Sequence, residues 1–564
     1  MRRSLHLVVA AILASASTSL AQVTYVDATL ATGANDGSSW ADAYRGSAGL
    51  RAAFASTPPG GEIWLGGGTY LPSDAGDACA RFLVSTDQIT VRGGFLGGES
   101  SPLERPDAGA NPSILSGDLL GDDDGTVATA GDNSATVLRV ESIDLYLDRV
   151  TIQGAGPDGT CSDPSARPVA LSTVENPGAL TLHDCVFEEC FGDGVAPDVG
   201  LFPSDSRRIR VEGTLFRDIT GSGLSVPWMV PGEAVNACRF ERCGIGLAVG
   251  PLWPVGVTFR NCVALDCRYG FSFGNDKTQP FNPVLLRNCT LAGNSIAGVN
   301  ADSRNPFGLV GPVAVRDSIV WDNAAPFQGF DPIGQVLFAV EDSIVQGGWP
   351  SPTAFDVDPR FEDAAGGDLS LQPASPAIDR ASGQGVASNE LDVARRHRAV
   401  DVAGVPNLGG SSVDLGAIEF TSAIGENDGC DPVPNSTGVP GRIFAQGSTA
   451  ATDGDLALDA DRLPSGQFGM FLVSRQLGFM PMAGGLGTLC LGGNVGRLNR
   501  PGQIQSASPA GRISITVDPA ALPQASAFVS VQPGETWRFQ LWHRDLLGGA
   551  PTNNLTGLVS IRFD

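Results

Sequence analysis

The five residues His183-Asp-Cys-Val-Phe187 form a pattern that returns six more times before Gln346. The other copies are Glu212-Gly-Thr-Leu-Phe216, Asn236-Ala-Cys-Arg-Phe240, Arg260-Asn-Cys-Val-Ala264, Arg287-Asn-Cys-Thr-Leu291, Arg316-Asp-Ser-Ile-Val320 and Glu341-Asp-Ser-Ile-Val345. Their central residues are Cys185, Thr214, Cys238, Cys262, Cys289, Ser318 and Ser343, at intervals of 29, 24, 24, 27, 29 and 25 residues. A repeat of this length with alternating apolar residues is typical of a β-solenoid.

A second column of residues lies five positions after the first. Its members are Cys190, Ile219, Cys243, Cys267, Asn294 and Asn323. One such unit cannot bury its inner face alone, so neighbouring coils must stack at the strand spacing of roughly 4.8 Å. An inward Asn at such a turn could bond to the backbone and to the next Asn, which satisfies polar groups that would otherwise be buried without partners. The sequence therefore predicts an all-β fold built on a right-handed parallel β-helix.

The first 21 residues have the features of a secretory signal peptide. Arg2 and Arg3 precede an apolar run from Leu7 to Ala14, and small residues stand before a cleavage point after Ala21. The apolar run is too short for a retained membrane span. We therefore expect a secreted or cell-surface monomer with no segment inserted in the membrane.

The charge of the chain narrows the class of partner. It has 61 acidic residues against 36 Lys and Arg, which gives a formal net charge of −25. Such a surface repels nucleic acid and anionic membranes. The partners that remain are a polysaccharide or a protein at a cell surface.

Eleven cysteines are an odd number for an exported chain, so at least one thiol has no partner within the chain. The Cys-x4-Cys pairs at 185/190, 238/243 and 262/267 resemble metal ligands, but their recurrence at the solenoid period favours buried ladder positions, where Cys packs as a small apolar residue. Cys238 with Cys262, and Cys430 with Cys490, are pairs that could oxidise if their geometry allows. The sequence leaves the pairing open.

Composition divides the chain into six segments. We predict a signal peptide over 1–21, an N-terminal cap and first coils over 22–135, the parallel β-helix over 136–355, its C-terminal cap over 356–421, a linker over 422–441 and a β-sandwich-like domain over 442–564. An amphipathic stretch from Ala48 to Ala55 predicts a short helix that covers the end of the solenoid. The charged run from Glu390 to Arg398 is expected to be a solvated face.

Several ordered motifs carry a resemblance to a known family. They are Tyr25-Val-Asp27, Gly37-Ser-Ser-Trp40, Ile63-Trp64, Gly68-Thr-Tyr-Leu-Pro72, Gly93-Gly-Phe-Leu-Gly-Gly-Glu99, Ile114-Leu-Ser-Gly-Asp118, Asp132-Asn-Ser134, Asp358-Pro-Arg-Phe361, Gly367-Asp-Leu-Ser-Leu371, Ser375-Pro-Ala-Ile-Asp379 and Asp414-Leu-Gly-Ala-Ile-Glu419. Together they resemble the bacterial choice-of-anchor Q domain proteins, a group of exported right-handed parallel β-helix proteins. The resemblance spans about residues 23–420 and implies a fold rather than an activity.

The last part of the chain carries a second, shorter resemblance. Leu489-Cys-Leu-Gly-Gly493 and the segment from Gly534 to Asp545 are similar to a C-terminal module found on assorted exported bacterial proteins. Short alternating runs divided by Gly and Pro predict the β-sandwich-like domain of residues 442–564. This domain could serve in sorting or attachment.

No catalytic residue can be assigned from the sequence. Inverting glycosidases need two carboxyl groups roughly 6.5 to 9.5 Å apart. Asp184, Asp317 and Asp342 stand just before the first column, but the intervening copies lack acids there. We expect Asp317 and Asp342 to face solvent.

Three residues are candidates for carbohydrate binding. Lys277 is the only lysine of the chain and lies on a polar loop, where it is either a base or an ordinary surface residue. Arg208, with Arg207 and Arg210, could bind an acidic sugar. Trp253 lies on a loop between coils, where its ring either stacks on a sugar or anchors the loop.

One acidic loop offers ligands for a metal ion. Asp118, Asp122 and Asp124 lie in the segment Gly117-Asp-Leu-Leu-Gly-Asp-Asp-Asp-Gly125. Hard oxygen ligands on such a loop could hold Ca²⁺, although their spacing is not that of an EF-hand. No other cofactor is predicted, since no histidine is spaced with a second one for zinc.

These features favour an exported, non-catalytic β-helix protein that presents an extended surface for carbohydrate or protein binding. The alternative is a polysaccharide lyase or glycoside hydrolase that works in the groove of the β-helix. A lyase would need a base near the α-proton of a uronate and a positive charge to stabilise the enolate.

Overall fold

The fold is seen in a computed structural model of the chain. It describes residues 22–563 except 107–108, 125, 127–128, 143, 158–160, 163–166, 174–177, 198–207, 227–233, 251–256, 276–283, 304–312, 331–336, 388–389, 396–397, 400–401, 403–404, 421–422, 425–429, 431, 447–448, 450, 453–455, 483, 509–510, 526 and 548–549. The signal-peptide prediction for residues 1–21 therefore lies outside the described residues.

Three parallel sheets form the walls of a β-helix within the described residues. The first sheet has 12 strands, Tyr44–Arg45, Val23–Asp27, Glu62–Gly66, Ile89–Phe95, Leu145–Asp148, Ala179–His183, Arg208–Glu212, Ala234–Asn236, Val257–Arg260, Val284–Arg287, Val313–Arg316 and Phe338–Glu341. The second sheet has 11, Gly68–Tyr70, Ser113–Ser116, Val150–Gln153, Val186–Cys190, Leu215–Ile219, Arg239–Glu241, Val263–Leu265, Thr290–Ala292, Ile319–Trp321, Ser343–Val345 and Ala354–Phe355. The third sheet has nine, Phe82–Val84, Thr136–Val140, Val169–Thr173, Asp193–Pro197, Ser222–Val226, Ile245–Val249, Tyr269–Asn275, Ala297–Ser303 and Phe327–Phe330. The predicted all-β class and parallel β-helix are confirmed.

The predicted columns point into the core of the β-helix. Every member of the first column is at most 1% exposed. In the second column, the Asn294 side chain donates to Asn323 Oδ1 at 2.7 Å, and Asn323 donates to the backbone oxygen of Leu291 at 2.8 Å. The Asn ladder is therefore formed as the sequence predicts. Between the columns, Phe187, Phe216 and Phe240 stack with centroids 5.1 and 5.0 Å apart, and all three are fully buried.

Each column follows a residue in the left-handed backbone conformation, which makes the tight turn between two sheets. Before the first column these residues are Asp184, Gly213, Ala237, Asn261, Asn288, Asp317 and Asp342, with φ from 47 to 62°. Before the second column they are Glu189, Asp218, Arg242, Asp266, Gly293 and Asp322, with φ from 51 to 66°. Gly, Asn and Asp tolerate this conformation best, which explains why they dominate the first set. The acids that precede the first column are therefore turn residues.

Ala237 is the poorest residue for its turn, because its Cβ strains a backbone with φ 52°. We expect Ala237→Gly to raise the free energy of unfolding by about 0.5 kcal/mol, since relief of about 1–2 kcal/mol of left-handed strain outweighs the extra entropy of glycine in the unfolded chain. The matched change Ala264→Gly, in a fully buried strand, should lower it by about 1 kcal/mol. Denaturant titration of both variants checks the opposite signs, and equal signs would contradict the strain.

The N-terminal residues close one end of the β-helix. The helix Gly46–Ser56 confirms the predicted amphipathic stretch and buries Leu50, Ala53 and Phe54 in the same core. Beside it, the resemblance motifs contribute an aromatic cluster in which Trp64 stacks on Phe95 at 4.7 Å and Trp40 contacts Phe95 at 5.4 Å. These motif residues therefore have a structural role, because their rings pack against one another at the N-terminal end of the β-helix.

Residues 356–420, which we call the closing segment, pack along the outside of the second sheet. Its short strands are Phe361–Asp363 and Asp368–Leu371. Leu415 and Ile378 pack on the outer residues Ile319 and Ile344, and Ala417 packs on Val263. Gly416 donates its N–H to the backbone oxygen of Asp317 at 2.9 Å. The outer face of the second sheet is therefore occupied over these coils.

Two sequence expectations about this region are wrong. Asp317 does not face solvent but is fully buried, and it accepts hydrogen bonds from the N–H and the hydroxyl of Ser382 at 2.7 and 2.9 Å. The charged run is not a solvated face either, because Asp392 is fully buried and Arg398 is 1% exposed. Arg398 reaches Glu419 at 3.5 Å and donates to the backbone oxygen of Gly416 at 2.6 Å. These charges attach the closing segment.

Burial raises the pKa of Asp414 in this segment to about 7. The protonated carboxyl is then favoured in the folded state, so its contribution to stability is full below about pH 4, declines as pH rises and is lost once the pH passes about 7. We expect thermal unfolding of the chain to move to lower temperature between pH 5 and about 8. The variant Asp414→Asn does not titrate and should flatten this dependence; an unchanged slope in the variant would assign the effect elsewhere.

The C-terminal part contains antiparallel sheets, as predicted. One has the strands Ala423–Ile424, Arg442–Gln446, Ala457–Asp461 and Ile513–Thr516. The other has Gly496–Arg497, Phe468–Ser474, Thr536–Leu547 and Ala550–Arg562, with Ile504–Ser506 paired to Phe468–Ser474. The C-terminal part also contains two hairpins. They pair Gln476–Pro481 with Thr488–Gly492 and Leu522–Pro523 with Phe528–Val529. Both main sheets contribute to one core around Trp537 and Phe471, which is the arrangement of a β-sandwich.

Two disulfides join Cys79 to Cys161 and Cys430 to Cys490. The second is a pair that the sequence offered, whereas Cys238 and Cys262 remain free thiols in the core. The seven free cysteines are all buried, as expected for ladder positions. Burial raises the pKa of Cys185 and of Cys190 to about 12, so these thiols stay protonated and unreactive. Among the described residues, no helix is long and apolar enough to cross a membrane.

Candidate functional site

The outer face of the first sheet is the candidate site, and we call it the first-sheet surface. One residue of each coil stands in register along it, and the row is Asp148, His183, Glu212, Asn236, Arg260, Arg287, Arg316 and Glu341. Residues that directly precede the row, such as Leu147 and Leu182, point inward and are buried. Strand alternation therefore directs the row outward, with one residue about every 4.8 Å, and within the row Asp148 and Arg287 are covered by their neighbours and buried.

Asp148 is the centre of a charged cluster on this surface. It accepts hydrogen bonds from Arg92 and Arg105, each at 2.9 Å, and lies 3.2 Å from Nδ1 of His183. Burial acts to raise the pKa of Asp148, but the hydrogen bond from His183 and the charge of Arg105 outweigh it, so the pKa lies well below its usual range. Asp148 is therefore an ionised carboxylate in a nearly buried position, with its side chain only 4% exposed.

His183 connects this buried carboxylate to the open face. Its side chain is 34% exposed, and Nδ1 also lies 3.5 Å from Asp184. An ionised carboxylate only accepts hydrogen bonds, so Nδ1 carries the proton that faces Asp148. In the neutral ring, Nε2 then has a free lone pair. The arrangement of carboxylate and imidazole can take up a proton from a bound molecule.

The next coil places two arginines beside this cluster. Arg208 and Arg210 are both exposed, and Arg210 stands in register with Thr181, two residues before His183. Neither guanidinium forms an ion pair within the part of the chain that the structure describes. Both are therefore available to an anionic ligand.

The structure brings together only part of the residues suggested by sequence. Arg208 lies on the first-sheet surface, whereas Lys277 and Trp253 fall outside the described residues. Asp148, His183 and Tyr146 were missed as site residues, because 35 residues separate Asp148 from His183. The signal that could have found them is the strand Leu145-Tyr-Leu-Asp148, which repeats Leu180-Thr-Leu-His183 one coil earlier.

The acidic loop is assembled differently from the sequence proposal. Carboxylate oxygens of Asp118 and Asp122 meet one of Asp132, all within 4.8 Å of one another. Asp124 instead accepts hydrogen bonds from Thr126 and Thr129 at 2.9 and 2.8 Å. The three clustered carboxylates offer the hard oxygen ligands that Ca²⁺ prefers.

A buried amide adjoins this cluster. Asn133 is fully buried and donates to Asp123 at 2.7 Å, while its Oδ1 has no hydrogen-bond partner among the described residues. Burial raises the pKa of Asp123, and the neighbouring charges of Asp118 and Asp132 act in the same direction. A cation would relieve this repulsion.

We expect Ca²⁺ to raise the thermal unfolding midpoint of the chain and a chelator to return it to its starting value, because binding to the folded state stabilises it. The change Asp122→Asn should cancel the response by removing one ligand. Asp124→Asn is the matched control and should retain it, because it removes one negative charge outside the three clustered carboxylates and its amide oxygen can still accept from Thr126 and Thr129. A midpoint that ignores Ca²⁺ at millimolar concentration would contradict the prediction.

Comparison with known proteins gives structural likeness only. No protein-family profile and no curated protein matches the chain. Among solved structures, the chain is similar to Escherichia coli YbhC, with 12% identity over 54% of this chain and 71% of that chain at a TM-score of 0.24. It is also similar to the enzymatically active domain of bacteriophage CBA120 tailspike protein 4, with 10% identity over 91% of this chain and 65% of that one at a TM-score of 0.25. The Dettilon tailspike protein gives 10% identity, 95% and 94% coverage and a TM-score of 0.23.

At such low TM-scores these likenesses indicate nothing about the activity of this chain. The class of the protein, an all-β chain with a parallel β-helix and a separate set of antiparallel sheets, rests on its own strand order and register.

Proposed function

We propose that this protein is exported and binds an acidic polysaccharide along the first-sheet surface. The observation that carries the proposal is the pair of exposed arginines, Arg208 and Arg210, which have no acidic partner within the described residues. The coils of His183 and Glu212 expose polar side chains that an extended ligand can contact together, whereas Arg260 is bonded to Glu390 of the closing segment and Arg287 is buried. Guanidinium groups bind carboxylates and sulfates through two parallel hydrogen bonds.

The net charge of −25 does not exclude an anionic ligand. Charges farther than about 8–10 Å from the ligand are largely screened at physiological salt, so nearby groups decide the local attraction. Arg208 and Arg210 are therefore expected to outweigh distant acids. Glu212 stands on the same strand, and its negative charge offsets part of the positive charge of the two arginines.

The test compares two double variants with equal loss of charge. Affinity electrophoresis on alginate, polygalacturonate, hyaluronan and chondroitin sulfate should show retention of the wild-type chain on at least one polymer. Arg208→Ser with Arg210→Ser should weaken that binding by at least tenfold, as expected for two charge-assisted contacts. Arg497→Ser with Arg562→Ser, at exposed sites of the C-terminal sheets, should leave it unchanged. Retention on none of the four polymers, or equal losses in both double variants, would reject the proposal.

Export is supported by the signal-peptide features and by the two disulfides, which persist in oxidising compartments. The motifs between residues 23 and 420, which occur in the same order as in the choice-of-anchor Q proteins, support the proposal that this chain is related to that exported group. N-terminal sequencing of the protein recovered from its host should begin at Gln22. Recovery from the cytoplasm with Met1 retained would contradict export.

A further inference from the structure

We infer that the first-sheet surface carries a proton-transfer site, in which His183 removes the proton next to a uronate carboxyl group and Tyr146 protonates the departing sugar oxygen. This inference rests on the proposed function, since it names the reaction that the bound acidic polysaccharide would undergo. Both side chains stand on the outer face of their strands and are partly exposed, so neither belongs to the apolar core of the β-helix.

The first step of the argument is the orientation of the imidazole. Asp148 lies 3.2 Å from Nδ1 and is itself fixed by Arg92 and Arg105. The ring is therefore held in one tautomer, with Nε2 as the acceptor. The other charged groups that face His183 are Asp184 at 3.5 Å and Glu212, its partner in the next strand. Each of these acids is also paired with a guanidinium group: Asp148 with Arg92 and Arg105, and both Asp184 and Glu212 with Arg395.

The second step is the position of a proton donor. The Tyr146 ring lies almost parallel to the His183 ring, with centroids 6.4 Å apart and an interplanar angle of 20°. Arg92 lies over the same tyrosine ring at 5.4 Å. Burial and the charge of Asp148 raise the pKa of Tyr146, so its hydroxyl stays protonated and can donate its proton only to a stronger base. An alkoxide leaving from a sugar is such a base.

The third step is the recognition of the substrate carboxylate. Tyr146, Thr181 and Arg210 stand in register on three adjacent strands, in the row next to that of Asp148 and His183. The base, the donor and the guanidinium therefore lie on one face within two strand spacings, roughly 10 Å. A carboxylate paired with Arg210 has its negative charge neutralised, which stabilises the enolate that proton removal creates.

The chemical step balances without an oxidant or a metal. The C5–H bond of the uronate breaks, and its proton moves to Nε2 of His183. The electron pair forms the C4–C5 double bond, while the C4–O bond breaks and its oxygen takes the proton of Tyr146. The imidazolium then loses its proton to water and the tyrosinate regains one, so the product is a chain with an unsaturated uronate end.

The experiment uses the full mature chain on the four acidic polymers named above and follows the ultraviolet absorbance of unsaturated uronate, with binding measured in parallel. Turnover of the polymer that binds is expected. His183→Gln and Tyr146→Phe should each reduce it by about 100-fold or more, which is the usual contribution of a positioned acid or base, with binding changed less than threefold. Glu362→Gln, at an exposed position of the closing segment outside this surface, is the control and should keep both turnover and binding.

The outcomes separate the two proposals. Binding without unsaturated ends, or turnover that survives His183→Gln, overturns the proton-transfer site and leaves the binding function intact. Absence of binding to all four polymers overturns both. Because His183 and Tyr146 are partly exposed, their variants should fold, and an unchanged thermal midpoint confirms that a loss of turnover is chemical.

Discussion

Cys238→Arg should prevent the chain from folding. Cys238 is fully buried in the first column, and its Sγ lies 3.3 Å from the backbone oxygen of Asn236. A guanidinium at this position would be an unpaired charge in an apolar core, which costs several kcal/mol, and its volume would also force the stacked coils apart. Since a whole domain is stable by only about 5–15 kcal/mol, one such substitution is enough. The measurement is soluble yield together with far-ultraviolet circular dichroism.

Cys238→Ala is the control, because it removes one buried heavy atom without adding charge. It should cost about 1 kcal/mol and leave the strand signal intact. A folded and fully stable Cys238→Arg chain would contradict the inward direction of the whole column.

Arg398→Met should release the closing segment. Arg398 is the cation among the buried acids of this region, where it approaches Glu419 at 3.5 Å and influences Asp414. Removing one partner of a buried ion pair leaves uncompensated charge and costs about 3–5 kcal/mol. Limited proteolysis and hydrogen exchange should show residues 356–420 opening first, before the β-helix itself unfolds.

Arg395→Met provides a matched comparison three residues away. Arg395 pairs with Asp184, but its side chain is 36% exposed. Exposed pairs contribute about 0–1 kcal/mol, so this variant should keep the segment closed. If the two variants destabilised equally, burial of Arg398 would not be the cause.

The repetitive part of the fold could be predicted from the sequence because each coil contains the same local pattern of residues. The columns of Cys185 and Cys190 recur at a constant spacing along the chain, and the Asn294 ladder follows from the hydrogen-bonding needs of a buried amide. Asp317 was wrongly expected in solvent because nothing local distinguishes it from Asp342. Its partner Ser382 lies 65 residues away and is not part of the repeat.

The candidate site was harder to predict for the same reason. Arg208 could be suggested from its charge alone, but the contact between Asp148 and His183 depends on the register of two coils. The coil of Asp148 lacks the Cys, Thr or Ser of the seven copies and carries Val150 in its place, so its sequence does not show the repeat. Contacts between acidic and basic residues of different coils can be predicted only after the register of the strands is known.

The two left-handed turns have a further consequence for how this chain can vary. They keep a spacing of five positions between the first and second columns in the six coils that contain both, as from Cys185 to Cys190 and from Ser318 to Asn323. In the coils from His183 onward, differences in coil length therefore collect mainly in the connection from the third sheet to the first, which ranges from 7 residues after Val226 to 10 after Pro197. In these coils insertions and deletions can accumulate in this connection while the stacked interior keeps its dimensions, whereas in the first coils the long connections join the second sheet to the third, with 19 residues between Ser116 and Thr136. A lineage of such proteins could thus acquire new ligands by exchanging connections one coil at a time.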